Sequence, residues 1–226
     1  MSRISRKGEP RPKRSYRIPP RAEYPCDQAI ILKKPRRYKI DFFYVLRRRA
    51  SDSGFRPLSI DQLADFLGHA LRTTDARREP SGLIWQHKAY PSAGGIHPID
   101  TFILNFPPGS RSVYFYNSLG HTLKKLPDEY SRSLCLLRQN AFKIRKEPHA
   151  TFLWFAAQSH LTAAKYLHFE SLLWRDAGCI ITTAYLVAAA LKLKCCTLGI
   201  TGKDYFAPLA RKGEQIEGIG GIMLGT

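Results

Sequence analysis

The segment from about Leu172 to Leu193 constrains the fold more than any other, because it is apolar on nearly every side of a helical wheel. A helix of that kind has no solvent face and must be covered in a core or at a subunit contact. Its uncharged stretch, Ala177 to Leu191, is 15 residues. A membrane span needs ~20, so the expectation is a buried helix and no membrane. The chain of 226 residues is long enough to build one domain around it, with room for an extension.

Shorter patterns suggest what surrounds that helix. Ile60, Leu63, Ala64, Phe66, Leu67, Ala70 and Leu71 follow helical spacing, and Ser59 with Gln62 forms a capping box ahead of them. Thr101 to Phe106 and Val113 to Tyr116 read as strands joined by a Pro-Pro-Gly-Ser turn. Thr151 to Ala156 reads as a central strand, Cys196 to Ile200 as another and Gly218 to Leu224 as the last. A short helix is expected near Asp204 to Ala210. The elements interleave without a βαβ rhythm, which favours an α+β sheet covered by helices over a doubly wound fold.

The formal net charge is +18, and residues 1–37 hold 12 Lys/Arg against 3 Asp/Glu together with six of the 15 prolines. Two regions are therefore expected: a basic, Pro-rich extension over 1–37 and a folded domain over 38–226. The extension reads as a solvated or partner-wrapping arm, as a polyanion-binding arm, or as the product of a start placed too early. The arginine-rich start has no apolar stretch after it, so no secretory signal is expected. Five cysteines include the adjacent Cys195 and Cys196 and form no C-x-x-C, which suggests reduced thiols in a cytoplasmic protein and no zinc site. There is no Gly-x-Ser-x-Gly elbow and no metalloprotease motif, which argues against hydrolysis.

Three segments carry candidate chemistry. Arg47, Arg48, Arg49 and Ser51 offer guanidinium forks and a hydroxyl suited to phosphate, although three arginines in a basic chain also make an ordinary solvated face. Pro91-Ser92-Ala93-Gly94-Gly95 is a small-residue loop whose backbone can approach a flat ligand, or a plain glycine turn into the next strand. It is neither a G-x-G-x-x-G fingerprint nor a P-loop. The third segment is Tyr166 to Cys179, continued by Leu198-Gly199-Ile200-Thr201-Gly202. In it Asp176 is expected at the head of the apolar helix, where an acid suits the dipole.

In this order the motifs resemble the nitroreductase superfamily, and within it the SagB-type, McbC-like oxidoreductases, over residues 30 to 225. Asp41 to Arg49, Arg56 to Leu63, Pro91 to Ile99, Tyr114 to Tyr116 with Gly120 to Leu123, Arg175 to Gly178 and Leu198 to Gly202 carry the likeness. The resemblance implies a nitroreductase-like fold, a mostly antiparallel central sheet under helices, and an intertwined homodimer with FMN at its interface. It implies that Arg47, Arg48, Arg49 and Ser51 hold the FMN phosphate and ribityl chain, with Lys212 as a further phosphate ligand. Pro91, Ser92, Ala93, Gly94 and Gly95 would line the isoalloxazine edge, and Ile200, Thr201 and Gly202 would bring a backbone N–H to flavin N5.

The resemblance also assigns roles to Lys165 and Tyr166. McbC-like azoline dehydrogenases carry a Lys-Tyr pair that would remove a ring proton while hydride passes to the flavin, which requires burial to favour the neutral amine. Here the spacing to Gly178 is one residue shorter and the accompanying arginines are missing, so a surface lysine beside a packed tyrosine is the competing reading. The expected function is thus an FMN-dependent oxidoreductase, in one version an azoline (thiazoline or oxazoline) dehydrogenase acting on a modified peptide or related natural product by hydride transfer to flavin N5. The alternatives are a general NAD(P)H-dependent nitro or quinone reductase, and a polyanion- or peptide-binding protein with a vestigial flavin site.

Overall fold

The computed structural model describes residues 8–226. Along the chain run β1 (Arg11–Pro12), β2 (Gln28–Ile31), α1 (Phe42–Arg48), α2 (Ile60–Ala70), β3 (Asp75–Arg78) and β4 (Ile84–His87). Then come β5 (Ile99–Leu104), β6 (Val113–Asn117), β7 (Thr122–Lys125), α3 (Asp128–Ile144), β8 (Thr151–Gln158) and α4 (Ser159–Lys165). The chain closes with β9 (Tyr166–Leu167), α5 (Glu170–Ala190), β10 (Lys194–Leu198) and β11 (Ile216–Gly225), with 3-10 turns at Ala93–Gly95 and Lys203–Leu209.

A seven-stranded sheet in the order β10-β11-β8-β5-β6-β7-β2 forms the centre, and every neighbouring pair is antiparallel. The fold is α+β. β8 explains its own sequence: all eight residues are buried, because Phe152, Trp154 and Ala156 face one layer and Leu153, Phe155 and Ala157 the other. Helices α2 and α5 cover the second face, and α3 with the 3-10 turn at Lys203–Leu209 covers the first.

Helix α2 forms with the expected capping box, Ser59 Oγ accepting from Gln62 N–H while Gln62 Oε1 accepts from Ser59 N–H. Helix α5 ends where Lys192 turns left-handed at φ 57° and Leu193 N–H reaches back to the Ala188 carbonyl at 2.8 Å. By length and composition α5 would suit a membrane crossing, but Leu173, Ala177, Ile180, Ala184 and Ala188 pack it into the core beside the sheet. The strand expected over Thr101 to Phe106 sits two residues earlier. Asn105, at φ 58°, leaves the ladder and bonds the Gly109 N–H through its own side-chain oxygen. In β11, Gly218 is pressed so closely against the Gly202 backbone that no Cβ fits.

Residues 8–37 lie along the domain surface and reach into it. β1 pairs with β9, and β2 closes the outer edge of the sheet against β7. Between them Arg21 pairs with Asp100 at 2.8 Å, Ala22 N–H donates to Gln158 Oε1 at 2.7 Å, and Tyr24 donates to Asp100 at 2.7 Å. Ile18, Ala22 and Tyr24 are buried by these contacts.

Candidate functional site

Two groups of the expected residues converge on α5, one on each half. The first gathers around Asp176, which lies in the second turn of the helix and not at its head. It is 6% exposed, and it serves the neighbouring loop in place of the helix dipole. Its carboxylate accepts from Ser92 Oγ at 2.5 Å and from Ala93 N–H at 3.1 Å. Ser92 Oγ in turn accepts from His97 N–H at 3.0 Å. Burial pushes the Asp176 carboxyl above its ordinary range, and the Ser92 and Ala93 donors pull it back.

The loop so fixed carries Gly94 at φ 63°. A Cβ there would stand 2.6 Å from the Tyr166 hydroxyl oxygen and 2.8 Å from Lys165 Nζ, so only glycine admits both. Lys165 Nζ donates to the Gly94 carbonyl at 3.3 Å and lies 5.2 Å from the Tyr16 ring centre. Lys165 and Tyr166 therefore stand directly on the Pro91–Gly95 loop. Beside it His97, buried and with Nδ1 unpaired, has its imidazolium pushed down to about 4 by burial, with Lys88 and Arg21 adding repulsion.

The second group gathers around Tyr185. Its hydroxyl accepts from Thr197 N–H at 2.9 Å and Thr197 Oγ1 at 3.1 Å, and lies 3.0 Å from Ser51 Oγ. With both lone pairs engaged, its own proton is left for Ser51. The Arg49 guanidinium lies over the Tyr185 ring at 5.6 Å. Arg47 and Arg48 stand exposed in the last turn of α1, with no ion pair among the described residues. Tyr185 lies nine positions after Asp176 on α5, ~13.5 Å along the axis.

Thr197 leads through the end of β10 to Ile200, Thr201 and Gly202. There the Thr201 carbonyl accepts from Trp154 Nε1 at 2.8 Å and Gly220 N–H at 3.0 Å. The N–H groups of Ile200, Thr201 and Gly202 donate to no protein acceptor among the described residues. Free backbone donors, one of them on a buried glycine, and unpaired guanidinium groups fit a ligand with a polar ring edge and a phosphate, as FMN has. Lys212 stands apart in the same chain. It precedes the end of β11 that pairs with Gln158, whereas segment 49–52 lies by Cys195, which pairs with Leu224 at the other end. From Ile216 to Leu224 is ~26 Å of strand.

Sequence reasoning missed Tyr185 and misplaced Asp176. Tyr185 offered a signal, as the one aromatic ring in an Ala-rich helical run. Asp176 offered another, as an acid within a helix apolar on most sides, which needs a donor from elsewhere in the chain if it is buried.

Residues 46–225 match the Nitroreductase family. Among solved structures, a protein described as a nitroreductase from Ralstonia eutropha is similar at 19% identity and a TM-score of 0.62, covering 95% of this chain and 97% of that one. The E. coli microcin synthetase McbBCD complex with truncated pro-MccB17 bound is similar at 20% identity and a TM-score of 0.60, covering 79% of this chain and 69% of that one. One described as a nitroreductase from Anabaena variabilis reaches 0.54 at 18% identity over 73% of this chain and 34% of that one. No curated protein matches the chain in sequence.

Proposed function

The chain belongs to the nitroreductase family, and from that premise we propose that it is an FMN-dependent dehydrogenase of the SagB-type, McbC-like kind, acting on an azoline ring in a modified peptide. The family makes it an oxidoreductase. The observation that carries the finer reading is the placement of Lys165 and Tyr166 on Gly94, in the loop assigned to the flavin edge. The E. coli fold neighbour with truncated pro-MccB17 bound is consistent with a peptide substrate.

In this reading Arg47, Arg48 and Ser51 hold the FMN phosphate and ribityl chain, with Arg49 stacked on Tyr185 behind them. Pro91 to Gly95 and the free N–H groups of Ile200 to Gly202 hold the ring system. Bound FMN supplies a hydride acceptor at N5. Lys165 Nζ, anchored on the Gly94 carbonyl, takes the ring proton, and the Tyr166 hydroxyl orients the substrate. The exposed Phe42, Phe43 and Leu46 of α1 and Trp174 of α5 support a homodimer, in which a second copy would cover them and bring its own Lys212 to the phosphate. The five free thiols suit the cytoplasm.

The absorbance spectrum of the purified protein, with identification of the released flavin, tests the cofactor. Anaerobic mixing with a thiazoline-containing peptide then tests the reaction, and bleaching of the flavin is expected. Bleaching by NADPH with no response to the peptide would replace this reading by a general reductase. Colourless protein that takes up no FMN would remove both.

A further inference from the structure

Strands β5 and β6 pair only over Phe102–Leu104 and Val113–Phe115. Beyond that β5 continues on β8 as far as Ile99, and β6 continues on β7 as far as Asn117, without pairing to each other. The sheet therefore opens as a wedge at this end. Tyr24 plugs part of it, its ring 5.1 Å from that of Phe102 and 4.7 Å from that of Phe115. What remains is a cavity of about 930 Å³, walled by residues 17–24 of the arm and by the β3–β4 hairpin. Cavities of roughly 300–1,000 Å³ are the size that takes small-molecule ligands.

The wall chemistry is one-sided. Arg17, Arg21, Arg78, Lys88 and Lys124 line the cavity against Glu23 and Asp100. Asp100 is already saturated by Arg21, Tyr24 and the Gln158 amide, the last at 2.5 Å. Lys88 is half-buried, and its ammonium makes no hydrogen bond or ion pair among the described residues, only an approach of 5.8 Å to the Tyr90 ring centre. The Lys88 ammonium is thus left without a hydrogen-bond partner in a cavity whose two carboxylates are Glu23 and the already engaged Asp100. Burial, helped by Arg21, pushes this ammonium down to about 7, and a bound anion would relieve that cost. Around it Leu71, Ile84, Ile96, Leu161 and the rings of Phe115 and Tyr116 supply apolar wall.

We propose that this cavity is a second ligand site, taking a small organic anion with an aromatic or aliphatic body, and that Lys88 anchors the acidic group. None of Arg47 to Ser51, Pro91 to Gly95 or Ile200 to Gly202 lines it. The site is therefore separate from the candidate flavin site and does not depend on that assignment. Tyr90 and Ile96, which do line it, bracket the Pro91–Gly95 loop.

The test uses the full chain, with and without added FMN, and two fluorescent probes sharing one body. 1-Anilinonaphthalene-8-sulfonate carries the anion, and N-phenyl-1-naphthylamine lacks it. Saturable sulfonate binding at one equivalent per chain is expected, unaffected by FMN. Lys88→Met should weaken it about tenfold, Lys88→Arg should restore it, and the neutral probe should change less than twofold. Absence of a saturable site, equal losses for both probes, or displacement by FMN would overturn the proposal. Should Lys88→Met not fold, the wild-type chain decides: the sulfonate should protect Lys88 from reductive methylation about fivefold or more in peptide mapping. Unprotected Lys88 would equally overturn it.

Discussion

The Ser92 hydroxyl and the Asp176 carboxylate meet at 2.5 Å across 84 residues of chain, and with the Ala93 N–H they fasten the Pro91–Gly95 loop to α5. Asp176→Ala removes the acceptor from both donors and leaves the Ala93 N–H half-buried without a partner. The expected loss is about 2–3 kcal/mol, or ~4–12 °C in melting temperature for a chain of this size. Asp176→Asn, which keeps one acceptor oxygen, should lose less. Equal melting temperatures for wild type and Asp176→Ala by calorimetry would mean that burying the carboxylate costs as much as its bonds return.

That contact also shows where sequence reading reaches its limit. Helix α2 was legible because its signal is local, with apolar residues three and four apart and both halves of the capping box within four positions. β8 was legible because burial on both faces leaves one continuous apolar run. Ser92 with Asp176, and Ser51 with Tyr185 at a separation of 134 residues, leave no local periodicity. Each partner alone reads as an ordinary turn, cap or packed ring. The arm is similar: Arg21 and Tyr24 look like solvated residues until Asp100, 79 and 76 positions on, is seen to accept from both. Helix α3 went unread despite Asp128 and Glu129 following Pro127, because its buried side, Ser131, Leu134, Leu137 and Ala141, includes a serine and an alanine and leaves a weak apolar stripe among polar and charged residues.

The phosphate assignment rests on exposed side chains, so it can be tested without disturbing the core. Arg47→Ala with Arg48→Ala should leave the circular dichroism spectrum and melting temperature unchanged and weaken FMN binding at least ~tenfold, since each charge-assisted bond to phosphate contributes about 1.5–3 kcal/mol. Titration of the apoprotein with FMN measures this. Undiminished affinity would return these arginines to the solvated surface.

For the reaction, Lys165→Ala and Tyr166→Phe should each lower turnover of a thiazoline peptide by ~10²-fold or more with flavin still bound. If the two residues only pack, Lys165→Ala will turn over normally and Tyr166→Phe will alter the melting temperature alone. Gly94→Ala offers an independent check. Its methyl group would meet both side chains at once, on a residue at φ 63°, so turnover should fall.

The pH dependence of stability should carry the mark of His97. Its imidazolium is held down to about 4 in the fold, chiefly by burial, against ~6.5 in the unfolded chain. Between these values the unfolded chain binds more protons, so the contribution is fully present above ~6.5 and is lost as pH falls towards 4. His97→Asn, a residue that tolerates the φ of 48° here, should flatten the urea-unfolding free energy across that window by on the order of 2–3 kcal/mol. Parallel curves for the two proteins would show that His97 is not the group responsible.

The Tyr185 hub carries a consequence for how the protein is made. It joins Ser51 to Thr197, so the phosphate side of the site cannot exist until nearly the whole chain has been translated. At ~5–20 residues per second, the segment bearing the three arginines waits on the order of ten seconds for the strand that completes it. Throughout that interval a positively charged, hydrophobic helix, α1 with its exposed Phe42 and Phe43, is presented to the ribosome surface and to whatever chaperone attends it. A truncated product ending before β10 would keep Arg47 to Ser51 and Tyr185 and would lack Thr197, whose backbone and side chain fix the Tyr185 hydroxyl.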